Sequence, residues 1–434
     1  MLNKDTIAAI STGMSNSGIG IVRISGDDAF QIIDRIYKGK KKLSEADSHT
    51  IHYGFIKDGG ETVDEVLVSV MRAPRTFTGE DTVEINCHGG VYVVQRVLET
   101  VLKNGARPAE PGEFSKRAFL NGKMDLSQAE AVIDVITSKN EYALQSSVSQ
   151  LRGSVKKKIE TMRETLLYHT AFIETALDDP EHISVDGYGE TLEKELIPIR
   201  EELKKLIDSA GNGRIIKEGI QIVTEIEGTT RDVLEEQIHL NGLNLNMIDT
   251  AGIRQTEDVV EKIGVEKARE YAESADLIIY VADASRKLDE NDREIAQIIA
   301  GKKVVVLLNK SDLEPVLTRE ELRTFLEDEF PVIEVSAKEE KGIRELEQQL
   351  KTMFLSGDLS FNDEVMITNM RQKSALQDAY MSLRKVQESI EDQMPEDFYS
   401  IDLMDAYEAL GSITGETIGE DLVNEIFSKF CMGK

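Results

Sequence analysis

Val304-Val305-Val306-Leu307-Leu308 runs directly into Asn309-Lys310-Ser311-Asp312. Five branched apolar residues without polar alternation fit a strand buried on both faces, as strands of a parallel sheet are. The abrupt change to polar residues marks the strand's carboxyl end, and in an open α/β sheet ligands bind there. Leu243–Ile248, Leu277–Val281 and Val332–Val335 have the same apolar character and alternate with helical stretches. Residues 213–360 are therefore expected to form a doubly wound α/β domain.

On both sides of this block the rhythm is helical. Leu144, Val148, Leu151, Val155, Ile159, Met162 and Leu166 recur every three or four residues, as one long helix with a polar outer face requires. Leu376, Tyr380, Leu383, Val386 and Ile390 form a second stripe, and helical segments continue to Phe430. The blocks 124–212 and 361–434 are expected to close one bundle around the insert. Residues 1–123 mix short β-rich runs, Gly20–Ile24 and Val83–Ile85 among them, with Gly-containing turns and an amphipathic helix near Val93–Leu102. That is the texture of a compact α+β domain, so the whole reads as a multi-domain α/β protein.

A chain of 434 residues, 40% hydrophobic and 30% charged, has material for two or three separate cores. No run approaches the roughly 20 apolar residues of a membrane span, and the first residues lack the order of a secretory signal. The expectation is a cytoplasmic protein with no membrane partner. Two cysteines, Cys87 and Cys431, lie too far apart in sequence for a disulfide framework or a thiolate cluster. Six scattered histidines give no zinc spacing. A net charge of −29 excludes a broad basic surface for nucleic acid, so any RNA substrate needs a local patch or a partner to hold it.

The strand ends carry the chemistry. Asp249-Thr250-Ala251-Gly252 follows the strand at 243, with a carboxylate suited to a magnesium-bound water and a Gly whose bare backbone can approach a γ-phosphate. In Asn309-Lys310-Ser311-Asp312, Asp312 can accept two hydrogen bonds from the N1 and N2 edge of guanine, an edge that adenine does not offer. Ser336-Ala337-Lys338 can set backbone N–H groups against guanine O6. Upstream, Gly228-Thr229-Thr230-Arg231-Asp232 offers a Thr hydroxyl to magnesium from a loop that orders around a γ-phosphate. Singly, each is an ordinary turn, cap or solvated loop. In this order and spacing together they point to a guanine-nucleotide domain.

These residues resemble the MnmE family, also called TrmE, of tRNA modification GTPases, and the resemblance covers nearly the whole chain. It extends to Asp5–Ile10, Gly18–Gly26, Phe77–Asp81, Pro111–Phe114, Arg117–Lys123 and Asp125–Ala131. The ending Cys431-Met432-Gly433-Lys434 matches the family's Cys-x-Gly-Lys. One departure is large: no Gly-x-x-x-x-Gly-Lys-Ser/Thr occurs, although it belongs between Gly219-Ile220-Gln221 and Ile222-Val223-Thr224. Roughly 20 residues, comprising a strand, the phosphate loop and the start of its helix, are absent at that join.

The resemblance implies roles for individual residues. The middle domain becomes a Ras-like GTPase, with GTP held by Asp249, Thr250, Ala251 and Gly252, by Asn309, Lys310 and Asp312, and by Ser336, Ala337 and Lys338. Thr230 becomes the magnesium ligand. The segment Thr224-Glu225-Ile226-Glu227-Gly228-Thr229 resembles the nucleotide-contacting loop whose backbone oxygens, at Thr224, Ile226 and Thr229, help hold a potassium ion that does the work of an arginine finger. Glu261 resembles the glutamate that orients the attacking water, where an unrelated sequence would have an ordinary helix-face carboxylate. Arg231 and Arg254 match positions near the switches, with plain surface cations as the alternative. Arg23, Glu80, Lys123 and Lys434 match the site of a tetrahydrofolate derivative, 5-formyl- or methylene-tetrahydrofolate: cations meet its carboxylates and Glu80 meets pterin donors. Cys431 has a role in the modification step or completes the folate pocket; Cys87 is expected to pack in the core.

The implied whole is a homodimer held by its N-terminal domains. With the flavoprotein MnmG (GidA), as a heterotetramer, it installs an aminomethyl or carboxymethylaminomethyl group at carbon 5 of the tRNA wobble uridine, using GTP hydrolysis and K+-stimulated pairing of G domains. Two rivals stand beside it: a nucleotide-insensitive folate-binding scaffold, if the phosphate loop is truly lost, and a self-sufficient folate-dependent transferase. Intact mass decides the first: about 20 residues beyond 48.4 kDa show that the molecule has the loop, and 48.4 kDa shows that it does not.

Overall fold

The computed structural model describes residues 5–185, 187–225, 234–240, 243–249, 271–273, 275–326, 329–355, 365–431 and 433. The chain divides into two compact units, one of Met1–Ile133, Gln150–Asp186 and Lys385–Lys434, the other of Asp134–Ser149 and Gly187–Arg384. Each helical block of the sequence is thus shared between the units. Asp134 shows why. It pairs with Lys217 at 2.7 Å and accepts from the Thr368 hydroxyl at 3.2 Å, while Asn140 donates to the Ile216 carbonyl at 2.8 Å. These bonds tie residues just past 133 to the second unit.

The first unit is built on a seven-stranded sheet. Its strands are β1 (Ile7–Ile10), β2 (Gly20–Ser25), β3 (Tyr37–Gly39), β4 (Thr50–Asp58), β5 (Glu61–Met71), β6 (Thr82–Cys87) and β7 (Arg107–Pro108), in the order β3-β4-β5-β6-β2-β1-β7. Side chains alternate across the pleat. Val22, Ile24, Val66, Val68, Val70, Val83 and Ile85 all face the helices α1 (Ala29–Ile36) and α2 (Val91–Lys103) and make one core with them. The opposite face carries rows set by register: Arg23–Glu84–Ser69–Ile51 and Ile21–Asn86–Leu67–Tyr53. Cys87 lies in the core, and burial, then the charge of Asp64, pushes its thiol up to about 11.

Around this sheet the first unit packs α3 (Glu113–Leu120), the start of α4 (Leu126–Thr137), and further helices that follow. Leu126, Ala129, Val423, Phe427 and Phe430 form a separate apolar cluster. The single helix expected over 144–166 is two, α5 (Glu141–Leu151) and α6 (Ser154–Asp178). Gly153 between them has φ +86°, a left-handed turn that L residues rarely adopt and that no apolar periodicity announces.

In the second unit, α7 (Tyr188–Glu218) turns through Gly219, φ +90°, into a six-stranded sheet. Its strands are β8 (Ile220–Glu225), β9 (Leu234–Leu240), β10 (Leu243–Asp249), β11 (Leu277–Asp283), β12 (Val304–Asn309) and β13 (Val332–Glu334), ordered β13-β12-β11-β8-β10-β9. All neighbours run parallel except β9 against β10. The helices α8 (Glu290–Ile299) and α9 (Arg319–Leu326) cover one face, and α10 (Ile343–Leu355) covers the other through Leu350 and Phe354. The doubly wound expectation is borne out. At the 221/222 join, residues from both sides form one strand, β8, paired with both β10 and β11.

The second stripe lies on α11 (Met370–Glu391), where Leu376, Leu383 and Val386 are buried. Two C-terminal helices, α12 (Glu396–Thr414) and α13 (Glu420–Ser428), complete the first unit, α12 against α6. Phe427 is buried against the rings of Phe119 and Phe430. Phe427→Ala is expected to cost about 3–5 kcal/mol, read as an earlier first transition in urea unfolding.

Candidate functional site

Parallel register brings the strand ends of the second sheet to one edge. Asp249 stands opposite Thr224, and Asp283 opposite Asn309. At the end of β12, Asn309 Oδ1 accepts from the Lys310 N–H at 2.8 Å and from the Ala337 N–H at 3.3 Å. One side chain thus ties the turn after β12 to the loop after β13. Lys310 sits at φ +64°, and its ammonium reaches Asp283 Oδ2 at 2.6 Å. Burial alone would raise the Asp283 carboxyl, but Lys310 and the Ser285 hydroxyl and N–H outweigh it and hold it at about 2.

Asp312 accepts from the Ser336 hydroxyl at 2.7 Å. That bond, with the charges of Lys338 and Lys341, holds its carboxyl below the ordinary range, so it presents acceptors to whatever lies outside. Ser336 is fully buried, and paired backbone bonds to Lys341 close a tight turn over it. Ala337 and Lys338 are exposed at the same mouth. Asn309, Asp312, Ser336 and Ala337 therefore form one hydrogen-bonded unit.

Other expected contacts fall elsewhere. Thr224 and Glu225 belong to β8 and not to a loop; Thr224 is 2% exposed, on the face of Ile220 and Ile222. Its side chain is committed to the sheet interior. Asp249 ends β10. Ile226, Glu227, Gly228, Thr229, Thr230, Thr250, Ala251, Gly252, Glu261 and Lys434, like Arg231 and Arg254, lie outside the described residues. A cleft of about 560 Å³ bounded by Arg214, Asp276, Lys303 and Phe354 opens at the start of β11, at the other edge from these motifs. Asp276 there accepts from Arg214 and from the Gln221 N–H, which reads as the junction of α7 with the sheet.

The first unit gathers a second set. Arg23 is paired with Glu84 at 2.8 Å and donates to the Gly433 carbonyl at 3.3 Å, which also accepts from Ser11. Its guanidinium lies 5.5 Å from the Phe114 ring centre. The tail is further held by the Gly112 N–H on the Cys431 carbonyl at 3.4 Å, leaving Cys431 exposed. Lys123 is exposed and donates to the Pro74 carbonyl at 2.9 Å. Glu80 accepts from the Ser25 hydroxyl at 2.8 Å and, with both oxygens, from Arg117 at 3.2 Å. Arg23 is thus neutralised by Glu84, and Glu80 is already paired.

A family model described as the MnmE helical domain matches residues 126–431, and one described as the N-terminus of the GTP-binding protein TrmE matches residues 6–123. A relative named tRNA modification GTPase MnmE, from Lachnoclostridium phytofermentans, is 55% identical with all of both chains covered. The chain belongs to the MnmE family of tRNA modification GTPases. Relatives of the same name from Acetivibrio thermocellus and Staphylococcus epidermidis are 47% and 44% identical, again over all of both chains. The match to the first spans 460 positions against 434 residues, which leaves 26 positions of that MnmE alignment without a residue of this chain.

For this MnmE-family chain the sequence reading overlooked Asp5, Arg107, Glu113 and Arg117 as a set, Glu84 as the partner of Arg23, and Asp283 as the partner of Lys310. The β11–β12 partner has a signal, since Asp283 ends an apolar strand as Asn309 does. Lys310→Met removes the ion pair to Asp283; the carboxyl, held at about 2 in the folded chain, is expected to titrate measurably higher when followed by NMR. Its stabilising contribution is present above the ordinary carboxylate range and fades as pH falls toward 2, so the variant is expected to be less stable than the parent at neutral pH, with the difference closing over that acid window.

Proposed function

We propose that this chain takes part in modifying the wobble uridine of tRNA as a GTP-hydrolysing enzyme of the cytoplasm. The observation that carries the reading is the unit of Asn309, Asp312, Ser336 and Ala337 at the carboxyl edge of the second sheet. An ionised Asp312 accepts from guanine N1–H and the 2-amino group, and the exposed turn Ala337–Lys338 offers a backbone N–H to O6. Magnesium falls to Thr230 and potassium to backbone oxygens of Thr224, Ile226 and Thr229; such ions offset charge on the transferring phosphoryl group. Glu261 takes the water-orienting role.

The first unit fits a tetrahydrofolate derivative in part. Glu80 supplies an acceptor for ring N–H groups and exposed Lys123 a cation for carboxylates, with Lys434 as a second. Arg23, neutralised by Glu84, serves to seat the tail. The one-carbon unit, the MnmG partner and the tRNA substrate follow the family, and Cys431 stands exposed for the modification step. Ile51, Tyr53 and Leu67 give the outer face of the first sheet an exposed apolar strip suited to a homodimer. Asp312→Asn is expected to weaken GTP binding by about 100-fold or more while improving binding of xanthosine triphosphate, which carries an oxygen at position 2. Unchanged GTP binding by a folded variant removes the reading.

The scaffold reading is favoured by a specific observation, the uninterrupted run of β8 across the join where a phosphate loop belongs. Backbone N–H groups at a helix N-terminus are what cradle phosphates in such domains. Labelled GTP, with magnesium and potassium, tests it on the full chain: turnover above background excludes the scaffold, and no turnover with intact folding excludes the hydrolase.

A further inference from the structure

We propose that Arg117 is the positioning residue of the Glu80 site, fixing that carboxylate for a ligand edge rich in N–H donors. The inference rests on the tetrahydrofolate reading and adds the device that makes Glu80 usable. Arg117 is almost fully buried, its side chain 6% exposed, on α3. Its Nη1 bonds both oxygens of Glu80 at 3.2 Å and the Asp5 carbonyl at 2.8 Å; its Nη2 bonds Asp5 Oδ1 at 2.7 Å and Glu113 Oε1 at 3.0 Å. Arg107 closes the ring from the other side, on Asp5 at 2.7 Å and on Glu113 at 2.6 Å.

Three carboxylates thus meet two guanidinium groups. Asp5 and Glu113 are each bonded by both arginines, which leaves Glu80, on Arg117 alone, as the member carrying the excess negative charge. It is also the one that Ser25 and the Thr78 hydroxyl orient from the strand side, through the Ser25 bond to Glu80 Oε2 and a 2.8 Å contact between the two hydroxyls. Burial works against the charge on Arg117, and Glu80 is the first partner that restores it. Only a planar fork spans three acids at once; a lysine ammonium in its place reaches one or two. The surplus acceptor therefore points to a ligand that brings two adjacent N–H donors, as an aminopyrimidinone ring does.

The test is a double-mutant cycle on the full chain, with 5-formyltetrahydrofolate as the probe and affinity read by calorimetry. Arg117→Met and Arg117→Lys are each expected to weaken binding about tenfold or more, and Arg117→Met to have no further effect in a Glu80→Gln background, because it acts through that carboxylate. An equal loss with and without Glu80 makes Arg117 merely structural and overturns the proposal. Ser25→Ala, which leaves the arginine ring intact, gives the same readout should Arg117→Met fail to fold: a loss in the wild-type background that vanishes beside Glu80→Gln supports the positioning, and a persistent loss refutes it. If wild type and Glu80→Gln bind the probe alike, or wild type does not bind it, the tetrahydrofolate reading itself falls.

Discussion

Asn309 Oδ1, shared between the N–H groups of Lys310 and Ala337, joins the turns at the ends of two separate strands, with the Ser311 N–H on the Val335 carbonyl at 3.1 Å beside it. The recognition surface proposed for the second unit depends on those two turns being held together. With the Ser336–Asp312 bond, the Asn309 link brings together residues 24 apart in sequence. The parallel ladder of β11, β12 and β13 makes the bond geometrically available, and the left-handed turn at Lys310 frees the ammonium for Asp283. Backbone regularity places these residues, and side-chain hydrogen bonds then convert placement into a recognition surface.

How much of this was legible in the sequence follows from the range of the forces involved. Apolar runs such as Val304–Leu308 announce buried strands, and their polar ends announce the edge, because both are local consequences of burial. The break at Gly153 was not legible: its apolar spacing continues unbroken, and only the backbone conformation interrupts the helix. Arg117 and Asp5 lie 112 residues apart, so their pairing has no periodic signal, although each sits inside a stretch that resembles the family. The continuity of β8 escaped the reading for a different reason. Ile222, Val223 and Thr224 suit a strand as well as a loop margin, and the sheet takes them because an apolar face over Leu350 must be filled.

The two proposed sites fall in different units. In the first, buried ion pairs fix a carboxylate and seat the chain's tail, whose Gly433 at φ +88° lets the backbone lie against Ile10. Acceptor geometry there is built from arginine forks, which hold carboxylates bidentately and so preserve direction as well as charge. In the second, the acceptor is a lone aspartate oriented by a buried serine. On the proposed reading both sites present oxygen acceptors to a nitrogen-rich ring edge, guanine at one and a pterin at the other.

The most direct test of the guanine edge compares guanosine, inosine and adenosine binding to the full chain by NMR chemical-shift perturbation at Ala337 and Lys338. Guanosine should bind, inosine, which lacks the 2-amino donor, should bind about tenfold or more weakly, and adenosine should leave both resonances unmoved. Equal shifts with all three nucleosides, or none with guanosine, contradict the assignment of Asp312 as the base-reading carboxylate.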